Sequence, residues 1–177
     1  MLSQRVIKER LLKWYSRADW TQRNAGLLWY TRASWEVDAL AERYNVPRTL
    51  AAGVVAVISP RVKWKQNIKL ANVLLANAYE RGLFKANFRK AMRIMDGEAP
   101  SHVMKGDKVN AFYRSILGFD DPVIDAWMLR AVGWRKKCTP KLYAKIATAI
   151  RELSASLQIM AQQFQAVVWC TMRGTGE

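Results

Sequence analysis

The chain has 177 residues, 51% hydrophobic and 24% charged, with 29 Lys and Arg against 14 Asp and Glu for a formal net charge of +15. That length can bury a sizeable core as one domain or two small lobes, and the composition excludes a disordered chain. No apolar run approaches the roughly 18–20 residues that span a bilayer, and the first ten residues lack the apolar stretch of a signal peptide. A cytoplasmic protein with no membrane partner is the expectation.

Apolar residues recur at helical rather than strand spacing throughout, which predicts an all-α fold. Ser3 is placed to cap a first helix that turns Val6, Ile7, Leu11, Leu12, Trp14 and Tyr15 inward. A second helix is predicted from Thr21 to Tyr44, with Leu27, Leu28, Tyr30, Trp35, Leu40 and Tyr44 on its core side. Asn45-Val46-Pro47 stops it, because the residue before proline avoids the helical region. The next helix, Arg48 to Ile58, contains an apolar run with no polar face and should be buried all round. Ser59-Pro60 breaks the chain before a helix that runs to about Tyr79 and is ended by Gly82. An amphipathic helix over 86–95, a loop over 96–100, a short helix near His102, a turn at Lys105-Gly106-Asp107 and a helix from Lys108 to Leu117 follow. Asp121 is expected to cap the next helix, with Pro122 at its first position. Helices from Pro140 to Leu157 and from Ile159 to Met172 complete a two-lobed helical bundle. One lobe spans residues 46–118, the other combines 1–45 with 119–177, and a cleft lies between them.

Two cysteines, Cys138 and Cys170, and one histidine, His102, exclude a disulfide framework, a four-cysteine cluster and a multi-histidine metal centre. No metal and no cofactor are expected. His102 reads as part of a helix start rather than a catalytic elbow. The excess of basic residues is the electrostatic footprint of a phosphate-backbone binder, and they are spread through the chain instead of being gathered in a disordered tail. Double-stranded DNA is therefore the expected partner, and no obligatory protein partner is implied.

Asp125 stands in an apolar stretch, Pro122 to Val132, where a carboxylate is costly unless a partner or a task keeps it. Before it, Val103 to Gly118 reads as helix, tight glycine turn, helix. A second helix that opens with free backbone amides suits a DNA phosphate. Lys108 lies in that opening turn, seventeen residues before Asp125.

Gly106-Asp107-Lys108 followed by Val123-Ile124-Asp125-Ala126-Trp127-Met128-Leu129-Arg130 resembles the frame of the helix-hairpin-helix superfamily of DNA glycosylases, which includes endonuclease III and 8-oxoguanine glycosylase. Met104 stands where the hairpin usually has its first glycine, and Trp127 where a histidine often follows the aspartate. The stretch Val57-Ile58-Ser59-Pro60-Arg61 through Asn67 resembles the segment that fills the gap left by a flipped base, with Arg61 as the filler. The resemblance covers roughly Leu50 to Val132. It implies that Asp125 and Lys108 are catalytic. Asp125 would stabilise the cation formed on the deoxyribose or activate a nucleophile, and Lys108 would attack C1′ as an amine. It further implies DNA contacts by Arg61, Lys63, Lys65, Lys105, Gly106 and Arg114, and a base pocket lined by aromatics such as Trp127, Trp169 and Trp29, with Gln165 reaching in.

The chain is also similar to small phage and actinobacterial proteins through Leu28-Trp29-Tyr30, Ser59-Pro60, Lys108 to Tyr113 and Gln165 to Trp169. That similarity opens a second function on the same fold, a transferase that modifies a flipped thymine in hypermodified phage DNA. A non-catalytic DNA-binding module is the third reading. Plainer roles stay open for single residues. Asp125 could be a carboxylate favoured by the helix dipole or paired with Arg130. Lys108 could touch a phosphate only; Arg61, Lys63 and Lys65 could be a solvated face; the tryptophans could be core; Gln165 could be a surface or core amide.

Overall fold

The computed structural model describes residues 2–77 and 84–174, all-helical where structure is regular. Among the described residues the helices are α1 (Gln4–Ser16), α2 (Trp20–Tyr44), α3 (Arg48–Ile58), α4 (Trp64–Leu75), α5 (Lys85–Met95), α6 (Pro100–Val103), α7 (Asp107–Ile116), α8 (Ala126–Ala131), α9 (Pro140–Ser156) and α10 (Ala161–Arg173). No described helix is long and apolar enough to cross a membrane. The chain divides into two compact units, residues 1–31 with 119–177 and residues 32–118, so the division falls inside α2.

In the first unit, Ser3 caps α1 by accepting from the Val6 amide at 3.2 Å. Ile7, Leu11 and Tyr15 form the buried stripe of α1, while Leu12 is 41% exposed. These residues share a core with Met128 of α8, Ile146 and Ile150 of α9 and Phe164 and Val168 of α10. The rings of Tyr15 and Phe164 stack at 4.7 Å with 6° between planes. Gly26 of α2 sits so close to α10 that a Cβ there would lie 2.5 Å from the Val167 backbone. Only a residue without a side chain permits that crossing.

In the second unit α3 is the centre. Every residue from Ala51 to Ile58 is buried, as a helix with no polar face requires. Val37, Leu40 and Ala41 of α2 pack into the same core with Leu70 and Leu74 of α4, Ile94 of α5 and Ile116 of α7. Arg48, at the start of α3, closes the polar edge. Its guanidinium donates to Asp38 Oδ1 at 2.5 Å, Ser34 Oγ at 2.5 Å and the carbonyls of Leu117 and Ile116 at 3.1 and 3.2 Å. Those carbonyls are the ones the end of α7 leaves without helical partners.

Three sequence expectations need correction. The core stripe of α2 runs through Gly26, Tyr30, Ala33, Val37, Leu40 and Ala41, whereas Leu28 and Trp35 are exposed, Trp35 at 65%. Close packing selects the small side chains over the large ones. The helix predicted to reach Tyr79 ends at Leu75, and Gly82, its expected stop, lies outside the described residues. Most relevant to function, Asp121 and Pro122 do not start a helix. The segment 122–124 stays extended because the Tyr143 hydroxyl satisfies its backbone, accepting from the Ile124 amide at 3.3 Å and donating to the Pro122 carbonyl at 3.2 Å. α8 begins at Ala126, and its N-cap is Asp125.

Gly26→Ala is expected to lower the unfolding free energy by about 1–3 kcal/mol in a urea titration, although alanine is the better helix former. An unchanged midpoint would show that α2 and α10 do not approach this closely.

Candidate functional site

Asp125 is half-buried and has extended backbone angles, φ −99° and ψ −172°, as an N-cap requires. Its Oδ1 accepts from the amides of Trp127 and Met128, both at 2.9 Å. Its Oδ2 accepts from Trp169 Nε1 of α10 at 3.1 Å. All three donors are neutral. Arg130 does not pair with it; that guanidinium lies over the Trp127 ring, 4.7 Å from the centroid. The Trp169 ring meets Trp29 edge-on at 6.0 Å and carries the Arg173 guanidinium at 4.4 Å.

Behind the carboxylate is a second polar pair. The Tyr30 hydroxyl donates to Gln165 Oε1 at 2.9 Å, and both residues are buried. Burial first, and then the nearby charge of Asp125, push the Tyr30 phenol well above its usual range. Tyr30 is thereby fixed as a neutral donor. Burial likewise pushes the Cys170 thiol up to about 11, against an opposing pull from Arg173, so this cysteine is not a nucleophile at neutral pH. Asp125, Trp127, Trp169 and Gln165 thus fall in one cluster of the first unit. Tyr30 belongs to it too. Its hydroxyl, four residues from the close-packed Gly26 and on the same face, was the available signal.

The predicted DNA contacts lie in the second unit. Gly106 caps α7 with φ 100°, a left-handed conformation that favours glycine, and Lys105, Gly106 and Lys108 are exposed. Met104 is extended and buried in the core of that unit. Arg61 has φ 67°, and the Val62 amide donates to the Ser59 carbonyl at 3.0 Å across it. This tight turn places Pro60 second and a positive-φ residue third, where glycine or asparagine is the ordinary choice. The exposed Arg61 guanidinium lies 5.9 Å from the Phe84 ring centroid. Trp64 carries the Arg61–Lys65 segment against α7, meeting Phe112 edge-on at 6.3 Å and donating to Glu36 Oε1 at 2.9 Å. Arg114 is exposed on the last turn of α7. Lys63, Lys105 and Lys108 have no ion-pair partner among the described residues.

A groove of about 670 Å³ between α4 and residues 36–43 of α2 is lined by Glu36, Arg43, Lys69 and Asn72 among others. It contains none of the predicted site residues.

Residues 1–176 match the model of a family of unknown function, DUF7178. The chain belongs to this family. No curated protein and no solved structure matches the chain.

Tyr30→Phe leaves the Gln165 carbonyl without its donor in a buried setting. Chemical denaturation should show a loss of about 1–3 kcal/mol. A change near zero would mean that Tyr30 and Gln165 are not bonded.

Proposed function

We propose that the protein acts on DNA bases in the manner of a helix-hairpin-helix glycosylase, with Asp125 as its working carboxylate. The observation that carries this reading is the way Asp125 is held. Three neutral donors fix both oxygens, the helix start favours a negative charge there, and no cation neutralises it. A carboxylate offers about four acceptor directions, so one on Oδ2 is still open. As the N-glycosidic bond breaks, the base leaves with the bonding electron pair and positive charge builds on the deoxyribose. A fixed carboxylate in a water-poor site lowers that barrier by several kcal/mol. Water then adds at C1′, and the proton it loses ends on the departed base, which is released as the neutral free base.

Lys108 is exposed in the first turn of α7. A lysine becomes a nucleophile at neutral pH through desolvation, so this position suits contact with a phosphate. Arg61, Lys63, Lys65, Lys105, Gly106 and Arg114 are read as further backbone contacts, in keeping with the net charge of +15. Trp127 and Trp169 supply aromatic surface beside Asp125 for a flipped base. Gln165, buried and bonded to Tyr30, positions its neighbours rather than reading the base.

Mass spectrometry of duplexes carrying damaged or modified bases, incubated with the protein, tests the reading. Release of a free base is expected. Asp125→Asn keeps the cap through its amide oxygen but turns an NH₂ toward Trp169 Nε1. It should therefore cost only about 1 kcal/mol of stability, preserve DNA affinity and slow base release on the order of 10²–10³-fold. A mass gain with bases retained would replace the glycosylase by a transferase. Binding without any chemical change, in both proteins, would leave a DNA-binding module. Borohydride reduction should trap no covalent DNA adduct on Lys108; an adduct would restore it as the nucleophile.

A further inference from the structure

The candidate DNA contacts described above all lie in residues 61–114, yet the positive charge does not. Residues 1–31 with 119–177 hold fourteen Lys and Arg against seven Asp and Glu, and residues 32–118 hold fifteen against seven. In the first unit the excess gathers between α8 and α9, where Arg135, Lys136, Lys137 and Lys141 fall within seven residues. All four are exposed, and among the described residues none has an ion pair or hydrogen bond from its side chain.

We propose that these four cations, with Arg10 of α1, form a second contact surface for the phosphate backbone of duplex DNA. The proposal rests on the DNA-binding part of the reading above, not on base chemistry.

Among the described residues the unit does not neutralise this charge itself. Glu9 is bonded to Arg5 and Glu152 to Lys8; Asp120 accepts from the Gln162 amide, Asp121 pairs with Arg151, and Asp125 is engaged as described. Glu9 of α1 and Glu152 of α9 therefore serve other partners. The placement is also adverse for the folded chain alone. Lys141 sits in the first turn of α9, which carries no acidic residue there, and cations at that end oppose the helix dipole. A polyanion laid across the loop reverses the sign of both terms.

The loop is built rather than loose. Gly133, with φ 71°, ends α8, its amide donating to the Arg130 carbonyl and the Trp134 amide to the Leu129 carbonyl, both at 2.8 Å. Arg10 lies against Gly133, where a side chain would collide with its guanidinium, and donates to the Val132 carbonyl at 2.6 Å. Trp134 Nε1 donates to the Lys137 carbonyl at 3.3 Å. The cations are thus presented on a fixed backbone, which reduces the ordering cost of binding.

The test replaces Arg135, Lys136, Lys137 and Lys141 together by Gln and measures binding to an undamaged duplex over a range of salt. Circular dichroism melts check that the fold is kept; since the four side chains are exposed and make no hydrogen bond or ion pair among the described residues, the melting temperature should not fall. Each phosphate contact contributes about 0.9 to the slope of log affinity against log salt, so the slope should drop by roughly 3–4 units and affinity by on the order of 10- to 100-fold. An unchanged slope in a variant whose parent binds DNA would overturn the surface alone. A parent with no affinity for duplex would overturn the surface and the DNA reading together. Loss of binding to phosphatidylglycerol vesicles with the DNA slope unchanged would also overturn it, in favour of a membrane surface. A parent that binds DNA with the expected slope change but releases no base would sink the glycosylase reading and leave this surface standing.

Discussion

The Asp125 carboxylate is the point on which the first unit turns. It starts α8 by taking two of the amides that a helix leaves open, and it ties that helix to α10 through the Trp169 indole. The same geometry answers why an acid persists in an apolar stretch. Neutral donors satisfy it without cancelling its charge, whereas an arginine partner would have made it a structural ion pair. Its field then reaches Tyr30, adding to the burial that keeps that phenol protonated. Cap, cross-link and electrostatic centre are one residue.

The second unit solves a different problem. Its fully buried α3 forces everything polar to the rim, and Arg48 gathers the loose carbonyls of α7 there. Trp64 brings a strained, basic turn beside α7, and Gly106 gives that helix its left-handed start. An exposed arginine in a conformation that glycine normally fills needs a reason outside local sterics. On the proposed reading, contact with a polyanion would supply one.

Much of this was legible in the chain, and what was not has physical causes. The apolar run of α3 announces burial on every side, and Ser3 announces a helix start, because both signals are local. The spacing of Lys108 and Asp125 was also readable, but spacing alone does not orient a side chain. The shift of the α8 start from Pro122 to Asp125 depends on the Tyr143 hydroxyl, a tertiary contact invisible to periodicity. On α2 the large apolar residues Leu28 and Trp35 do not mark the core face, whereas the small residues Gly26, Ala33 and Ala41 do. The Tyr30–Gln165 bond joins residues 135 positions apart, and no local pattern points from one to the other. The 135–141 cations belong to no motif: three lie between α8 and α9, and Lys141 opens α9.

The central claim is that Asp125 and Trp169 are bonded across α8 and α10, and a double-mutant cycle measures that bond directly. Unfolding free energies of the parent, Asp125→Ala, Trp169→Phe and the double variant yield the coupling between the two side chains. A hydrogen bond to a charged group predicts a coupling of about 1.5–3 kcal/mol. A coupling indistinguishable from zero would mean that the indole does not hold the carboxylate, and the account of the site would fail with it.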